Sequence, residues 1–223
     1  MYEGRLMNTT YTTANLLATG ADELERLALE EIIRRQRLGN AVSALVVPTA
    51  ATDLAVAMAT AGARVTVGDD AAQAERALAV AAGAGFRDEI AFSTFDFLGL
   101  ADTLTGEPFD VAVIQRGLCG VRYEQARRLV HELLLRLKIG GKLYVSILGL
   151  HSELADAYPG SEVVLSERFC CLAPEVAARY DLHHPVCLYS ERNLFTLLLE
   201  AGCSVLRTFT TTHGNVKGVA IRV

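Results

Sequence analysis

The sequence has no excess of positive charge. Its 223 residues include 21 lysines and arginines against 26 aspartates and glutamates, which gives a formal net charge of −5. A protein that wraps a nucleic-acid backbone needs cations to displace the counterions of the phosphates. The composition therefore argues against nucleic acid as a partner, although it leaves room for a local basic groove.

Long apolar runs are absent as well. No stretch approaches the roughly 20 apolar residues that span a bilayer. The first residues, MYEGR, lead into a segment rich in threonine and asparagine that lacks the apolar core of a signal peptide. We therefore expect neither membrane insertion nor secretion, and the sequence predicts a cytoplasmic protein.

The cysteines and histidines have no spacing typical of a metal site. The five cysteines are an odd number, and the adjacent Cys170 and Cys171 could form a disulfide only with strain. Free, buried thiols in a reducing compartment are the simpler interpretation. His183 and His184 are adjacent but have no spaced third ligand, so we predict no metal site.

The chain has enough hydrophobic residues to form the core of a globular domain. Hydrophobic residues make up 51% of the sequence and charged residues 21%, a balance that is typical of globular rather than disordered proteins. The length permits one large domain or two small ones.

Strands and helices alternate from residue 41 onward. Short apolar runs with the length of buried parallel strands are separated by segments with helical periodicity. The predicted strands are 44–47, 64–67, 90–93, 109–114 and 142–148, and the predicted helices are 52–61, 71–82 and 123–137. Strands separated by helices indicate a parallel sheet covered on both faces, which is a doubly wound α/β fold.

Two segments interrupt this alternation. We predict that residues 1–40 form an N-terminal helical extension, with a helix over 22–38 that Asp22 and Glu25 begin. Residues 150–188 have no clean periodicity, and we expect them to form a cap inserted into a main domain over 41–223.

The C-terminal part predicts an antiparallel hairpin. A helix over 190–201, with Ser190 as its N-cap, precedes two β runs at 205–212 and 216–223. The turn His213-Gly214-Asn215 joins these runs. The hairpin would complete a mostly parallel sheet of seven strands.

Three segments resemble motifs of one enzyme family. FDVAVI (109–114) resembles a fourth strand, LLLRLKIGGKL (133–143) the end of the following helix with the start of the fifth strand, and YSERNLFTLLLEAGCS (189–204) the helix before the closing hairpin. In this order they resemble the class I S-adenosylmethionine-dependent methyltransferases, over residues 41–150 and 189–223. The resemblance implies a Rossmann-like fold and S-adenosylmethionine as the cofactor.

The first loop departs from the family. Members carry the pattern [DE]-x-G-x-G-x-G after the first strand, but counting back from Gly62 places Val46 at the acidic position and Pro48, Ala50 and Thr52 at the glycine positions. Glycines let the backbone approach a cofactor closely, whereas proline has a fixed φ and no N–H. We expect the contacts of this loop with the cofactor to be lost or remodelled.

Other positions match the family. The resemblance implies that Asp69, at the end of the second strand, binds the cofactor ribose, and that Asp96 with Phe97 lies near the adenine. Both aspartates are also compatible with acids in surface turns. Gln115 follows the fourth strand, where the sulfonium or the substrate would lie. A cation at the next position, Arg116, would suit a carboxylate or phosphate.

The candidates for catalytic chemistry are few. Methyl transfer needs an oriented nucleophile and sometimes a general base. His151 follows the fifth strand, and open α/β sheets bind ligands beyond the carboxyl ends of their strands. Tyr123 is a second candidate. Each is also compatible with a structural or merely exposed residue.

Two main functional hypotheses remain, and another doubly wound nucleotide-binding protein is a third alternative. The first is a methyltransferase that acts on a small molecule, with an open cavity bordered by Ala50, Asp69, Asp96 and Arg116. The second is an inactive pseudo-methyltransferase that acts as a binding, scaffolding or regulatory subunit, with its cavity filled by Pro48, Thr52 and side chains of the cap. A dehydrogenase is disfavoured because no G-x-G-x-x-G follows the first strand. An oligomer is compatible with either hypothesis.

Overall fold

A seven-stranded sheet organises the chain. The computed structural model describes residues 22–95, 104 and 106–223, apart from the side chain of Thr49. The strands are β1 (Ser43–Val47), β2 (Arg64–Asp69), β3 (Ile90–Thr94), β4 (Phe109–Gln115), β5 (Leu137–Ile147), β6 (Ser204–Thr210) and β7 (Val216–Ile221). Their order across the sheet is β3-β2-β1-β4-β5-β7-β6.

Only β7 runs against the other strands. Strands β1 to β5 pair in parallel, and β7 pairs antiparallel with both β5 and β6. The predicted doubly wound α/β fold and the predicted C-terminal hairpin are both confirmed. The hairpin follows from local turn chemistry, because Gly214 in the turn has a φ of +75°, which residues with a side chain rarely adopt.

Six helices cover the two faces of the sheet in the described residues. They are α1 (Glu23–Arg37), α2 (Thr52–Thr60), α3 (Ala74–Gly83), α4 (Tyr123–Leu135), α5 (Pro174–Tyr180) and α6 (Glu191–Glu200). Helices α1, α2 and α3 share one apolar core with the sheet, and α4, α5 and α6 share the other. The alternation of side chains along each strand sends successive residues into these two cores.

Helix α1 runs along the sheet from the end of β4, where Gln115 binds Glu25, to the start of β4, where Arg35 binds Asp110. The side chain of Asp22 accepts the N–H of Leu24 at 2.9 Å and so caps the helix. Leu24, Ala28 and Ile32 repeat every four residues and are fully buried. Two acidic residues stand in its first turn and three arginines in its last turn, as the helix dipole favours.

The fifth strand is longer than its sequence pattern predicts. The predicted helix 123–137 ends at Leu135, and β5 begins at Leu137 rather than at Lys142. Leu137 pairs with Phe109, after which the register shifts. Gly140, with a φ of +77°, permits this irregularity, so the glycines interrupt the strand instead of preceding it.

Residues 150–188 pack on the face of α4 and α6. The segment contains α5 and two short 3-10 turns, and its apolar side chains join the core on that side. Arg168 organises its interior: the buried guanidinium donates to the carbonyls of Gly160, Val163 and Leu188 and to Asn193 Oδ1. Whether this segment closes over a ligand, as a cap would, stays a prediction, as does the division of the chain at residue 40.

Candidate functional site

Five neighbouring strands each bring one residue to the edge of the sheet at which the parallel strands end. We call this edge the carboxyl edge. Val46, Val67, Val113, Tyr144 and Val219 all belong to the core beneath α1, α2 and α3. Because the side-chain period of a strand is two, the residues two positions closer to the carboxyl edge face the same side. Within the strands they are Asp69, Gln115, Ser146 and Lys217, and together with Pro48, which follows β1 directly, we refer to them as the carboxyl-edge row.

The strand register fixes the spacing of this row. Gln115 of β4 pairs with Ser146 of β5, and Ser146 pairs with Lys217 of β7. Neighbouring strands lie about 4.8 Å apart, so these three residues span on the order of 10 Å. On the other side of β4, Val47 pairs with Ile114, which places Pro48 beside Gln115. The strand order reverses between β1 and β4, and such switch points are where open α/β sheets bind ligands.

The turn after β1 brings three of the predicted residues to this edge. Pro48 follows β1 directly, its carbonyl accepts the N–H of Ala51 at 3.0 Å, and α2 begins at Thr52. Ala50 is exposed, whereas Thr52 is only 5% exposed. Val46, at the family's acidic position, is fully buried in the core. A carboxylate at that position would need a partner inside the core.

Asp69 is held in one orientation beside this turn. Its Oδ1 accepts the N–H of Asp70 at 2.8 Å, and its backbone carbonyl accepts the N–H of Phe95 at 2.8 Å. Phe95 and Val47 pack so closely on Gly68 that a Cβ there would lie 3.1–3.2 Å from them. The predicted adenine residues, Asp96 and Phe97, lie outside the described residues.

Gln115 and Arg116 end β4 at the switch point. Gln115 Nε2 donates to Glu25 Oε1 in the first turn of α1 at 2.8 Å. Arg116 has a φ of +61°, and its N–H donates to the carbonyl of Ser146 at 2.7 Å. A non-glycine residue in the left-handed region costs on the order of 1 kcal/mol or more, and such residues cluster at functional sites. Arg116 therefore marks this turn as a constrained part of the edge.

The two candidate bases lie in different surroundings. His151 is exposed, and its carbonyl lies against the hairpin turn, where a Cβ on Gly214 would come within 2.1 Å of it. The Tyr123 hydroxyl donates to Glu200 Oε2 at 2.5 Å, which joins α4 to α6. Burial and this carboxylate raise the pKa of Tyr123 above its usual range. The phenol therefore stays protonated at neutral pH, and a catalytic role for either residue stays a prediction.

Sequence reasoning missed the most unusual charge at this edge. The Lys217 side chain is buried, with 5% of the residue exposed, and its ammonium donates to Asp22 Oδ1 at the start of α1. Burial lowers the pKa of Lys217 to about 8. The signal in the sequence was a lysine within an otherwise apolar strand (VKGVAI), because a charged residue is rarely buried in such a strand without a partner.

Within the part of the chain that the structure describes, no group of three histidines, cysteines, aspartates or glutamates could hold a metal ion. No helix in that part of the chain is long and apolar enough to cross a membrane.

The fold is shared with many solved structures of methyltransferases. No family profile matches the sequence, and no curated protein does. A Methanosarcina mazei S-adenosylmethionine-dependent methyltransferase superimposes with a TM-score of 0.63 at 20% identity, over 82% of this chain and 93% of that one. An O-methyltransferase family 2 protein from Planctomyces limnophilus, solved with apigenin, gives a TM-score of 0.60 at 18% identity, over 82% of this chain and 51% of that one.

A third structure carries the product form of the cofactor. PigF, solved with S-adenosylhomocysteine (SAH), gives a TM-score of 0.60 at 15% identity, over 90% of this chain and 56% of that one. The chain thus spans about half the length of several structures that it matches. Taken with the strand order and the reversed β7, these likenesses establish that the chain has the fold of the class I S-adenosylmethionine-dependent methyltransferases.

Proposed function

We propose that this protein binds S-adenosylmethionine at the carboxyl edge of its sheet and transfers the methyl group to a small molecule. The observation that carries the proposal is the position of Asp69. This carboxylate ends β2, is held beside the β1–α2 turn, and lies one strand away from the switch point between β1 and β4 of a methyltransferase fold. The names of the solved structures agree, because they include small-molecule O-methyltransferases and one SAH complex.

The described residues fit the ribose end of the cofactor. A carboxylate accepts hydrogen bonds from two neighbouring hydroxyls at once, which suits the diol of a ribose. Asp69 would hold the ribose, with Asp96 and Phe97 beside the adenine as the resemblance implies. Pro48, Ala50 and Thr52 would border the methionine part, and Gln115 would lie towards the acceptor.

When bound, the cofactor supplies an electrophilic methyl group on a sulfonium. The protein's own contribution is to orient the acceptor hydroxyl against that methyl group and to exclude water, since well-oriented reactants account for much of the lowering of a barrier. A base would take the acceptor's proton as the new O–C bond forms. His151 is the better-placed candidate for that role on topological grounds, and Tyr123 is the second.

The β1–α2 turn favours a second candidate function. Val46 is buried where the family has an acid, and Pro48 offers no N–H to a ligand. Thr52 adds a buried branched side chain at the start of α2. A chain that had lost cofactor binding and served as a binding, scaffolding or regulatory subunit for a protein partner would have these features.

Titration with the cofactor and its product separates the two functions. Calorimetry with S-adenosylmethionine and SAH measures binding directly, and a melting scan provides an independent readout. A ligand at about 100 times its dissociation constant stabilises the folded state by roughly 2.7 kcal/mol. If the protein is the enzyme, SAH should clearly raise its melting temperature. No heat of binding and no rise in melting temperature would contradict it and favour the pseudo-methyltransferase.

A further inference from the structure

Three donors of the carboxyl-edge row lie side by side on β4, β5 and β7. Gln115 offers an amide NH2, Ser146 a hydroxyl and Lys217 an ammonium, in consecutive register. Two of them already bind carboxylates, since Gln115 donates to Glu25 and Lys217 donates to Asp22. Asp22 is the N-cap of α1, and Glu25 stands in its first turn. Gln115 and Lys217 are therefore already positioned to bind carboxylate groups.

Within the residues that the structure describes, the Lys217 ammonium has fewer acceptors than it has N–H donors. A lysine ammonium has three N–H donors, and within the described part of the chain its one acceptor is Asp22 Oδ1. That same oxygen also accepts the backbone N–H of Leu24. Burial lowers the pKa of Lys217 to about 8, so a further anion at this position would be favourable.

Helix α1 has other anchors to the sheet besides its contacts with the row. Beyond its first turn, Glu31 binds Lys142, Arg35 binds Asp110, and the Tyr144 hydroxyl donates to the carbonyl of Leu27. The Asp22 and Glu25 side chains could therefore leave the row while the helix stays in place, since Leu24 between them is fully buried in the core. The row also adjoins the switch point, where the proposed cofactor would present its methyl group.

We propose that Gln115, Ser146 and Lys217 form the acceptor subsite, and that it takes the carboxylate of an acidic small molecule in exchange for the side chains of Asp22 and Glu25. This inference rests on the proposed function and names its substrate class. In the exchange Asp22 leaves the ammonium for solvent, and the carboxylate of the acceptor replaces it. Arg116, next to Gln115, adds a second cation to the same edge of the sheet.

The lysine content of the chain permits a direct test without a known substrate. The sequence has three lysines, Lys138, Lys142 and Lys217. Protein labelled with 13C at the lysine Cε atoms will give three side-chain signals, which single replacements by arginine assign. The probe is benzoate, an aromatic carboxylate, and benzyl alcohol is its neutral counterpart.

We expect benzoate to shift the Lys217 signal alone and to raise the pKa of Lys217 above its value in the unliganded protein, because an adjacent anion favours the charged form. Benzyl alcohol should have no effect on that pKa. Lys217→Met should abolish benzoate binding, and Lys217→Arg should retain it because the cation remains. The Lys138 and Lys142 signals are internal controls.

Releasing the row should strengthen binding. Asp22→Ser keeps a good N-cap for α1 but is too short to reach Lys217. This variant should bind benzoate at least about tenfold more tightly than the wild type, since the loss of one charge-assisted hydrogen bond is of that size. The inference is overturned if benzoate leaves Lys217 unaffected in both proteins, or if Lys217→Met binds benzoate as well as the wild type.

Calorimetry with SAH on the same samples separates this inference from the proposed function. If SAH does not bind but benzoate still affects Lys217, the proposed cofactor is wrong and the proposed binding of a carboxylate by the row stands. SAH binding without any benzoate response would leave the methyltransferase and remove the acidic acceptor.

Discussion

Glu31 of α1 accepts a hydrogen bond from Lys142 of β5 at 2.8 Å, across 111 residues of sequence. Arg34 and Arg35 donate to the same carboxylate, which is only 4% exposed. Burial alone would raise the pKa of Glu31, but the hydrogen bonds from Arg34, Lys142 and Arg35 outweigh it and lower the pKa to about 2. The helix is thus joined to the sheet by a charged contact at the edge opposite the site.

Glu31→Gln should destabilise the protein by about 2–3 kcal/mol at neutral pH. The substitution keeps the shape of the side chain but leaves the surrounding cations without their counter-charge. Glu30→Gln is the matched control, because Glu30 pairs with Arg26 at the surface and such pairs contribute little. Urea unfolding at pH 7 measures both variants, and equal midpoints would contradict the role of Glu31.

The same carboxylate predicts how stability depends on pH. Its pKa is lower in the folded state than the ordinary value of 4.5, so the unfolded chain binds the proton more readily between pH 4.5 and about 2. Stability from Glu31 is therefore complete above pH 4.5 and is lost as the pH falls towards 2. Unfolding free energies measured over this range should fall more steeply for the wild type than for Glu31→Gln.

Asp69→Asn should weaken SAH binding by about 10- to 100-fold. The amide keeps the shape of the carboxylate but removes the charge from its hydrogen bonds, which costs on the order of 1.5–3 kcal/mol. Asp70→Asn is the control, since Asp70 caps the following turn through Ala72 and asparagine caps equally well. Calorimetry measures both, and unchanged affinity in Asp69→Asn would refute the ribose assignment.

Gly149→Ala should destabilise the protein by 3 kcal/mol or more, as expected for overpacking that the backbone cannot relieve. A Cβ at this position would lie 1.7 Å from the carbonyl oxygen of Gly214, so the segment after β5 and the hairpin turn would have to separate. Gly83→Ala is the opposite control: it meets open space at the end of α3 and should stabilise by about 0.5–1 kcal/mol. Melting temperatures should move in opposite directions.

The fold could be predicted because its signals are local. Each buried strand is a short apolar run, Ser190 and Asn193 form a capping box at α6, and the turn at Gly214 specifies a hairpin. These features depend on neighbours within a few residues. The start of β5 could not be placed in this way, because its first residue is held by a pair with Phe109 on another strand.

The site was harder to predict because it depends on register. Asp69 and Gln115 were found from their positions at strand ends, which the resemblance to the family supplied. Lys217 was missed, because its place beside the candidate site depends on the pairing with Ser146 and on the contact with Asp22, which is 195 residues away in sequence. Burial and pairing of that kind are properties of the assembled sheet and leave only a weak trace in the sequence.

The insertion of β7 between β5 and β6 has a consequence for how the molecule is assembled during synthesis. Strand β6 leaves the ribosome before β7, yet it has no place in the sheet until the chain has turned back and β7 has paired with β5. Until then β5 presents an open edge of unpaired N–H and C=O groups, the kind of surface that recruits strands from other chains. Ribosome stalling before residue 216 would therefore favour aggregation, and Lys217 would reach its position beside Ser146 only when β7 pairs with β5.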